Sequence, residues 1–331
     1  MPAHAVGRVS EIDIAKGVGI TLVVLGHMVA RDARPLGNDW WIVWHERLYS
    51  FHMAFFFFLS GYVFFLKPES QWEEQLRKSA AKLAPAYLLF ALLVYLGKYA
   101  AAGFLHVDRP VKHPLEELLL MVAYPTEGFA QFLWFIVTLL MIMTVATLLR
   151  ALITRYLGAA LIFALVLHIL SVTDHVTTFL ALHQLARYLV FFLLAALCHR
   201  LPEAWASAVS RFGVMYFVMF VAVLIAAPER WLPTLAGLLS VPALVALAHW
   251  IDRSTSLRRL FHFLGRNTLT IYLMNSLAMG LVRALVFKIW DWNGWHFFVV
   301  APVLLLAGLV MPILAQRWLF SRWRWTNHIT R

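Results

Sequence analysis

The chain has a single cysteine, Cys198, in 331 residues. That excludes an internal disulfide, and its place in an apolar run points to a buried thiol. Charge is scarce too, since only 14% of residues are Asp, Glu, Lys or Arg. With 62% hydrophobic residues and a mean hydropathy of +0.75, an ordinary soluble domain is excluded. Alternating ten-residue strands are missing, which excludes an outer-membrane barrel. There is no convincing internal repeat, low-complexity tract, metal-ligand cluster, phosphate-cradling glycine loop or nucleophile elbow. No cleavable signal peptide is evident, because the first apolar run holds Asp13 and Lys16 and no cleavage site follows it. That run is expected to stay as the first helix.

What is present is a succession of long apolar runs. They predict an all-α polytopic membrane protein with about ten spans, and no appended soluble domain. The spans fall at 12–30, 48–66, 80–101, 130–149, 157–172, 179–198, 212–227, 232–250, 267–287 and 297–316. One membrane domain is expected over residues 1–331. Seventeen basic residues lie on the N-terminal side of these spans and eight on the other, which predicts cytoplasmic termini. Topology therefore explains the net charge of +11, and no nucleic-acid partner is expected. On the outer side, Trp40, Trp41 and Trp44 precede the second span, and Trp290, Trp292 and Trp295 precede the last. They read either as interfacial anchors or as a stacking surface for a sugar ring. Residues 102–129 form the longest outer segment, with an amphipathic stretch, Leu115–Ala123, suited to capping a cavity. The run Arg317–Trp325 reads as a cytoplasmic interface anchor.

The first span carries Lys16 and, ten residues between, His27. On a helix their directions differ from three full turns by roughly 20°, and they stand about 16 Å apart along the axis. Ionisable groups inside a bilayer are costly and commonly mark function. The alternative is an interfacial Asp13–Lys16 pair, with Lys16 snorkelling and His27 packed as a satisfied polar residue. In the second span, His52 lies near the outer mouth, and Ser60 and Gly61 allow close backbone approach by a helix or a ligand. Arg187 lies four residues after His183 on one helix face; it reads as a binding group or as an interhelical structural charge. His168 and Arg283 are further ionisable residues within spans. The spacing His27-x4-Asp32 copies a glycerolipid acyltransferase motif, but Asp32 falls beyond the helix end and the match is discounted.

Two strings together are more specific. Asp13-Ile14-Ala15-Lys16-Gly17 through Leu22-Val23-Val24-Leu25-Gly26-His27 is followed by Phe51-His52-Met53 and Phe56-Phe57-Phe58-Leu59-Ser60-Gly61-Tyr62. They resemble the integral membrane acyltransferase family 3, most closely its fucose 4-O-acetylase-like branch of sugar O-acetyltransferases. The family's basic-residue-x10-His motif falls on Lys16 and His27, where Arg is the commoner basic residue. Weaker likeness recurs at Leu133-Trp134-Phe135 and Asn267-Thr268-Leu269-Thr270-Ile271-Tyr272-Leu273. Many relatives carry histidine where this chain has Asn275.

The resemblance implies an inner (plasma) membrane O-acyltransferase with no permanently bound cofactor. Its donor would be cytoplasmic acetyl-coenzyme A or another acyl-coenzyme A, with succinyl or longer groups as alternatives to acetyl. The acceptor would be a hydroxyl of a surface glycan or an undecaprenyl-linked sugar. In this reading His27 is the general base, Lys16 serves donor phosphate or cavity electrostatics, and Asp13 orients Lys16. His52 assists the acceptor or the tetrahedral intermediate, and Ser60 and Gly61 shape the acyl channel. Trp134, Arg187, Tyr272 and Asn275 bind substrate, although packing explains Trp134 and Tyr272 equally well. The rival is a secondary transporter, with Lys16, Arg187 and the histidines forming a proton or anion path; the missing inverted repeat counts against it.

Overall fold

Lipid offers no hydrogen-bond partner, so an apolar run that enters a bilayer satisfies its backbone internally as a helix. A computed structural model describes residues 3–29, 34–101 and 113–330, and among these it contains fifteen α-helices and no strand. They are α1 (Ala3–Gly26), α2 (Asp39–Tyr49), α3 (His52–Phe65), α4 (Trp72–Ala101), α5 (Pro114–Ala123), α6 (Trp134–Leu148), α7 (Arg150–Arg155) and α8 (Leu157–Val172). There follow α9 (Leu182–Arg200), α10 (Pro202–Ala226), α11 (Leu232–Asp252), α12 (Thr255–Arg266), α13 (Thr268–Val286), α14 (Phe297–Trp318) and α15 (Arg324–Thr330). Asp32 and the part of the expected outer segment from 102 to 112 lie outside the described residues.

Eight helical segments among the described residues are long and apolar enough to cross a membrane, against about ten expected spans. The other two expected spans coincide with α1 and α8. Every 18-residue window of α1 contains Glu11, Asp13 and Lys16, and α8 has only 16 residues. The seventh expected span is the C-terminal part of a longer helix, because α10 begins at Pro202, a residue preorganised for the first helical turn. Its polar opening turns had hidden this start. Besides α5, four helices fall outside the expected spans: α2, α7, α12 and α15, of which two are long enough to matter for the packing. The Trp-rich segment before the second span is α2, with Asp39 in its first turn and Arg47 in its last, both favourable to the helix dipole. The basic segment after α11 is α12, an amphipathic helix whose Leu264 is buried while Arg258 and Arg259 are exposed.

The chain divides into two compact units. The first comprises Met1–Gly19, Tyr49–Ala80 and Val137–Arg266. Its core is the crossing of α3 with α9, where a Cβ on Gly61 would collide with the Phe192 carbonyl. Phe57 stacks on Tyr188 there, with ring centroids 4.7 Å apart, and Phe64 lies 5.4 Å from Phe192. Apolar side chains gain little by leaving lipid for one another, so close packing of this kind supplies the attraction. α11 joins the crossing where Gly237 faces Phe191 and Ala54.

The second unit comprises Ile20–Leu48, Ala81–Ile136 and Asn267–Arg331. α13 and α14 meet at Gly308, which faces Met279 of α13 and Val24 of α1. The segment before α2 is tied to the α13–α14 connection by three hydrogen bonds. Leu36 N–H donates to Asn293 Oδ1 at 2.8 Å, Asn38 Nδ2 to the Gly294 carbonyl at 2.9 Å, and Gly294 N–H to the Leu36 carbonyl at 2.9 Å. Trp292 is only 2% exposed, packed against Phe287 and Phe297, so it is a core residue and neither an anchor nor a stacking surface. Trp290 and Trp295 are exposed.

The α3–α9 crossing gives a direct test. Gly61→Ala should destabilise the protein by about 1–3 kcal/mol through overpacking, read as a lower thermal midpoint in detergent. Gly97→Ala, whose added Cβ meets nothing within 4 Å, should leave the midpoint unchanged or raise it.

Candidate active site

A helix end leaves its last carbonyls without intrahelical partners. α1 ends at Gly26, and in the second unit side chains take up that deficit. His45 of α2 places Nε2 2.8 Å from the Gly26 carbonyl. Arg283 of α13 donates to the Met28 carbonyl at 2.8 Å and reaches the His27 carbonyl at 3.4 Å. A guanidinium at a helix C-terminus is also favoured by the helix dipole. His27 keeps one helical bond, from its N–H to the Val23 carbonyl at 3.0 Å, and so stands at the helix terminus with its backbone held.

The imidazole is held as firmly. His27 Nδ1 lies 2.7 Å from Asn275 Oδ1. The orientation of that amide follows from its own contacts. Asn275 Nδ2 donates to the Ile271 carbonyl at 2.9 Å and to the Tyr272 carbonyl at 2.8 Å, so both amide hydrogens are used. The oxygen therefore faces the ring, and it accepts from Nδ1–H. Ser276 Oγ sits 3.1 Å from the same Nδ1 and donates to Asn275 Oδ1 at 3.2 Å. In the neutral ring this leaves Nε2 with the lone pair, and it makes no hydrogen bond to a described residue. Phe132 meets the ring edge-on, centroids 6.5 Å apart, and Tyr272 donates its hydroxyl to the Phe132 carbonyl at 2.7 Å. Tyr272 thus fixes the short turn Gln131–Leu133 beside the imidazole.

The first unit holds the other motif residues. Lys16 Nζ lies 3.5 Å from Asp13 Oδ1, and His262 Nε2 of α12 lies 3.8 Å from the second oxygen, Oδ2. Asp13 is thereby shared between the Lys16 ammonium and the His262 ring. Its place is fixed by backbone contact: a Cβ on Gly265 would strike the Asp13 carbonyl, and one on Gly17 would strike the Phe261 carbonyl. α12 can lie this close to α1 only because both helices present glycine there. Two residues before Asp13, Glu11 faces His249 at 3.5 Å.

Of the residues singled out by sequence, the structure groups His27, Tyr272 and Asn275 in the second unit, and Asp13 with Lys16 in the first. Trp134 opens α6, half-buried, with its ring edge-on to Phe135. His52 is 1% exposed and edge-on to Tyr49 at 4.9 Å. Ser60 is half-buried beside Gly61 at the α3–α9 crossing, and Arg187 lies on α9. Reading the sequence missed Ser276, His45, Phe132 and His262. Ser276 carried a signal in following Asn275 directly; His45 lay in a segment read as a loop, where no face could be assigned.

Residues 9–317 match a family model described as an acyltransferase domain. No curated protein and no solved structure matches the chain.

The locked amide makes a spectroscopic prediction. Nitrogen-15 spectra of His27 should show the Nδ1–H tautomer in the wild-type chain and a mixture of tautomers in Asn275→Leu. An unchanged ring signal in the variant would remove Asn275 as the group that sets the tautomer.

Proposed function

The chain belongs to the acyltransferase 3 family and is a multi-pass membrane acyltransferase, and on that premise we propose that it moves an acetyl group from cytoplasmic acetyl-coenzyme A to a sugar hydroxyl of a surface or undecaprenyl-linked glycan. Both termini are cytoplasmic in this reading, and the membrane is the inner (plasma) membrane. The observation that carries it is the His27–Asn275 hydrogen bond, which supports a base with its lone pair on Nε2.

In the proposed reaction His27 Nε2 takes the acceptor hydroxyl proton as the oxygen attacks the thioester carbonyl carbon. The tetrahedral intermediate collapses with cleavage of the carbon–sulfur bond, and the departing thiolate takes the proton back from the imidazolium. Asn275 Oδ1 stabilises that imidazolium through Nδ1–H, and Arg283 with His45 holds the histidine backbone against displacement. Phe132, positioned by Tyr272, shields the ring from water and leaves less competition for the thioester.

Donor recognition falls to the other end of α1. Coenzyme A is rich in phosphate, and Lys16 gives a compact cation for it. Asp13 orients the ammonium, while α12 contributes Arg258 and Arg259 to the same cytoplasmic face. His52 assists the acceptor or the intermediate, Ser60 and Gly61 shape the acyl channel, and Trp134 and Arg187 serve the acceptor.

Acetyl-coenzyme A turnover by the purified chain with a lipid-linked glycan tests these roles. His27→Ala should lose about 10²–10⁴-fold in kcat, the usual worth of a general base. Lys16→Ala should raise the donor KM about tenfold with a smaller change in kcat, as expected for lost ground-state binding. Full activity in His27→Ala would overturn the base; an unchanged donor KM would overturn the role of Lys16.

A further inference from the structure

A second polar cluster lies in the first unit, where α8 turns into α9 against α11. His168 is fully buried and fully used. Its Nδ1 donates to the Arg187 carbonyl at 2.6 Å, and its Nε2 accepts from Thr234 Oγ1 at 3.0 Å. It is a pin between three helices. His183 differs. Its Nε2 donates to the Ser171 carbonyl at 3.0 Å, while Ser171 Oγ donates back to the His183 carbonyl at 3.0 Å. This reciprocal pair fixes the ring and leaves the lone pair of the neutral imidazole on Nδ1. That Nδ1 is buried and has no hydrogen-bond partner, and neither has the buried Oε1 of the next residue, Gln184. One helical turn further along α9, the Arg187 guanidinium stands 5.9 Å over the Tyr188 ring. Among the described residues it meets no carboxylate. The connection into α9 also holds Asp174, Leu180 and Ala181 at positive φ, the only non-glycine residues so placed among those described.

Buried polar atoms without partners are uncommon, and each needs an explanation. An unneutralised guanidinium in a membrane helix needs one as well. Two acceptors and one cation are complementary to a molecule that brings hydroxyl donors and an acidic group together. A bare anion would face the two lone pairs with nothing to donate to them. A neutral sugar would leave the guanidinium without a counter-charge.

We propose that His183, Gln184 and Arg187 form a binding site for a polyhydroxylated anion, a sugar bearing a carboxylate or a phosphate. Two ligand hydroxyls donate to His183 Nδ1 and Gln184 Oε1, and the acid accepts two bonds from Arg187. The orientation expected from the basic residues opens this connection to the non-cytoplasmic side. That the ligand is the acyl acceptor rests on the acyl-transfer reading above; its binding does not.

Calorimetric titration of the full chain in phosphatidylcholine nanodiscs, without acyl donor, tests the site with four probes: glucuronate, glucose 1-phosphate, glucose and inorganic phosphate. Glucuronate and glucose 1-phosphate should bind at least about tenfold more tightly than the other two, and the better of them identifies the acid. Arg187→Met should abolish the advantage over glucose, and Arg187→Lys should keep part of it. Gln184→Leu should abolish the advantage over phosphate. The titration contains no acyl donor and reads no turnover, so a failure of acyl transfer leaves the binding result standing. Phosphate binding as tightly as the sugar acids would overturn the proposal, as would failure of every probe. Wild-type affinity in an Arg187→Met chain with an unchanged melting curve would overturn it too.

Discussion

The carbonyls released where α1 stops are the constraint around which the second unit is arranged. Gly26 and Met28 are buried, so their carbonyls are not left to water, and side chains from two other helices reach them. His45 comes from α2 and Arg283 from α13, and together they cover the carbonyls of Gly26, His27 and Met28. The placement of α2 and α13 follows from this need. Once α13 is there, Asn275 and Ser276, two turns before Arg283, meet the imidazole that the helix end presents. A structural debt at a helix terminus and the orientation of a chemical group are therefore settled by the same three helices.

A second theme is how much of the packing depends on the absence of a side chain. Gly61 sets α3 on α9, and Gly17 with Gly265 sets α12 on α1. These crossings bring backbone against side chain and backbone at distances that alanine would prevent. The consequence at Asp13 is chemical as well as steric, because the carboxylate is presented to Lys16 on its own helix and to His262 on the other. Close crossing turns what would be a surface ion pair into one with a chosen geometry.

Hydropathy and spacing made the spans legible, and with them Lys16 and His27; Asn275 was marked only by the family resemblance. What they could not supply was direction. The His27–Asn275 bond joins residues 248 apart, and only the two amide donations to Ile271 and Tyr272 say which end of the amide faces the ring. Asn275 stands where many relatives carry histidine, and in the fold it is the partner of a histidine. Trp292 shows the opposite failure. Among three tryptophans of one loop it reads as surface, yet the turn buries it. α2 was hidden because eleven residues are too few for a span and too aromatic for an obvious amphipathic pattern.

The sixteen residues of α8 reach about 24 Å at a rise of about 1.5 Å each, short of a hydrocarbon layer of about 30 Å. Where the proposed ten-span topology takes α8 across the bilayer, lipid beside so short a helix thins to meet it. The headgroup region then dips toward the α8–α9 connection, and water with it. A bulky hydrophilic molecule would have less oil to cross at that point of the perimeter than anywhere along α10 or α11. In that topology local bilayer thickness, set by one abbreviated helix, becomes part of how the chain would admit the ligand proposed at this connection.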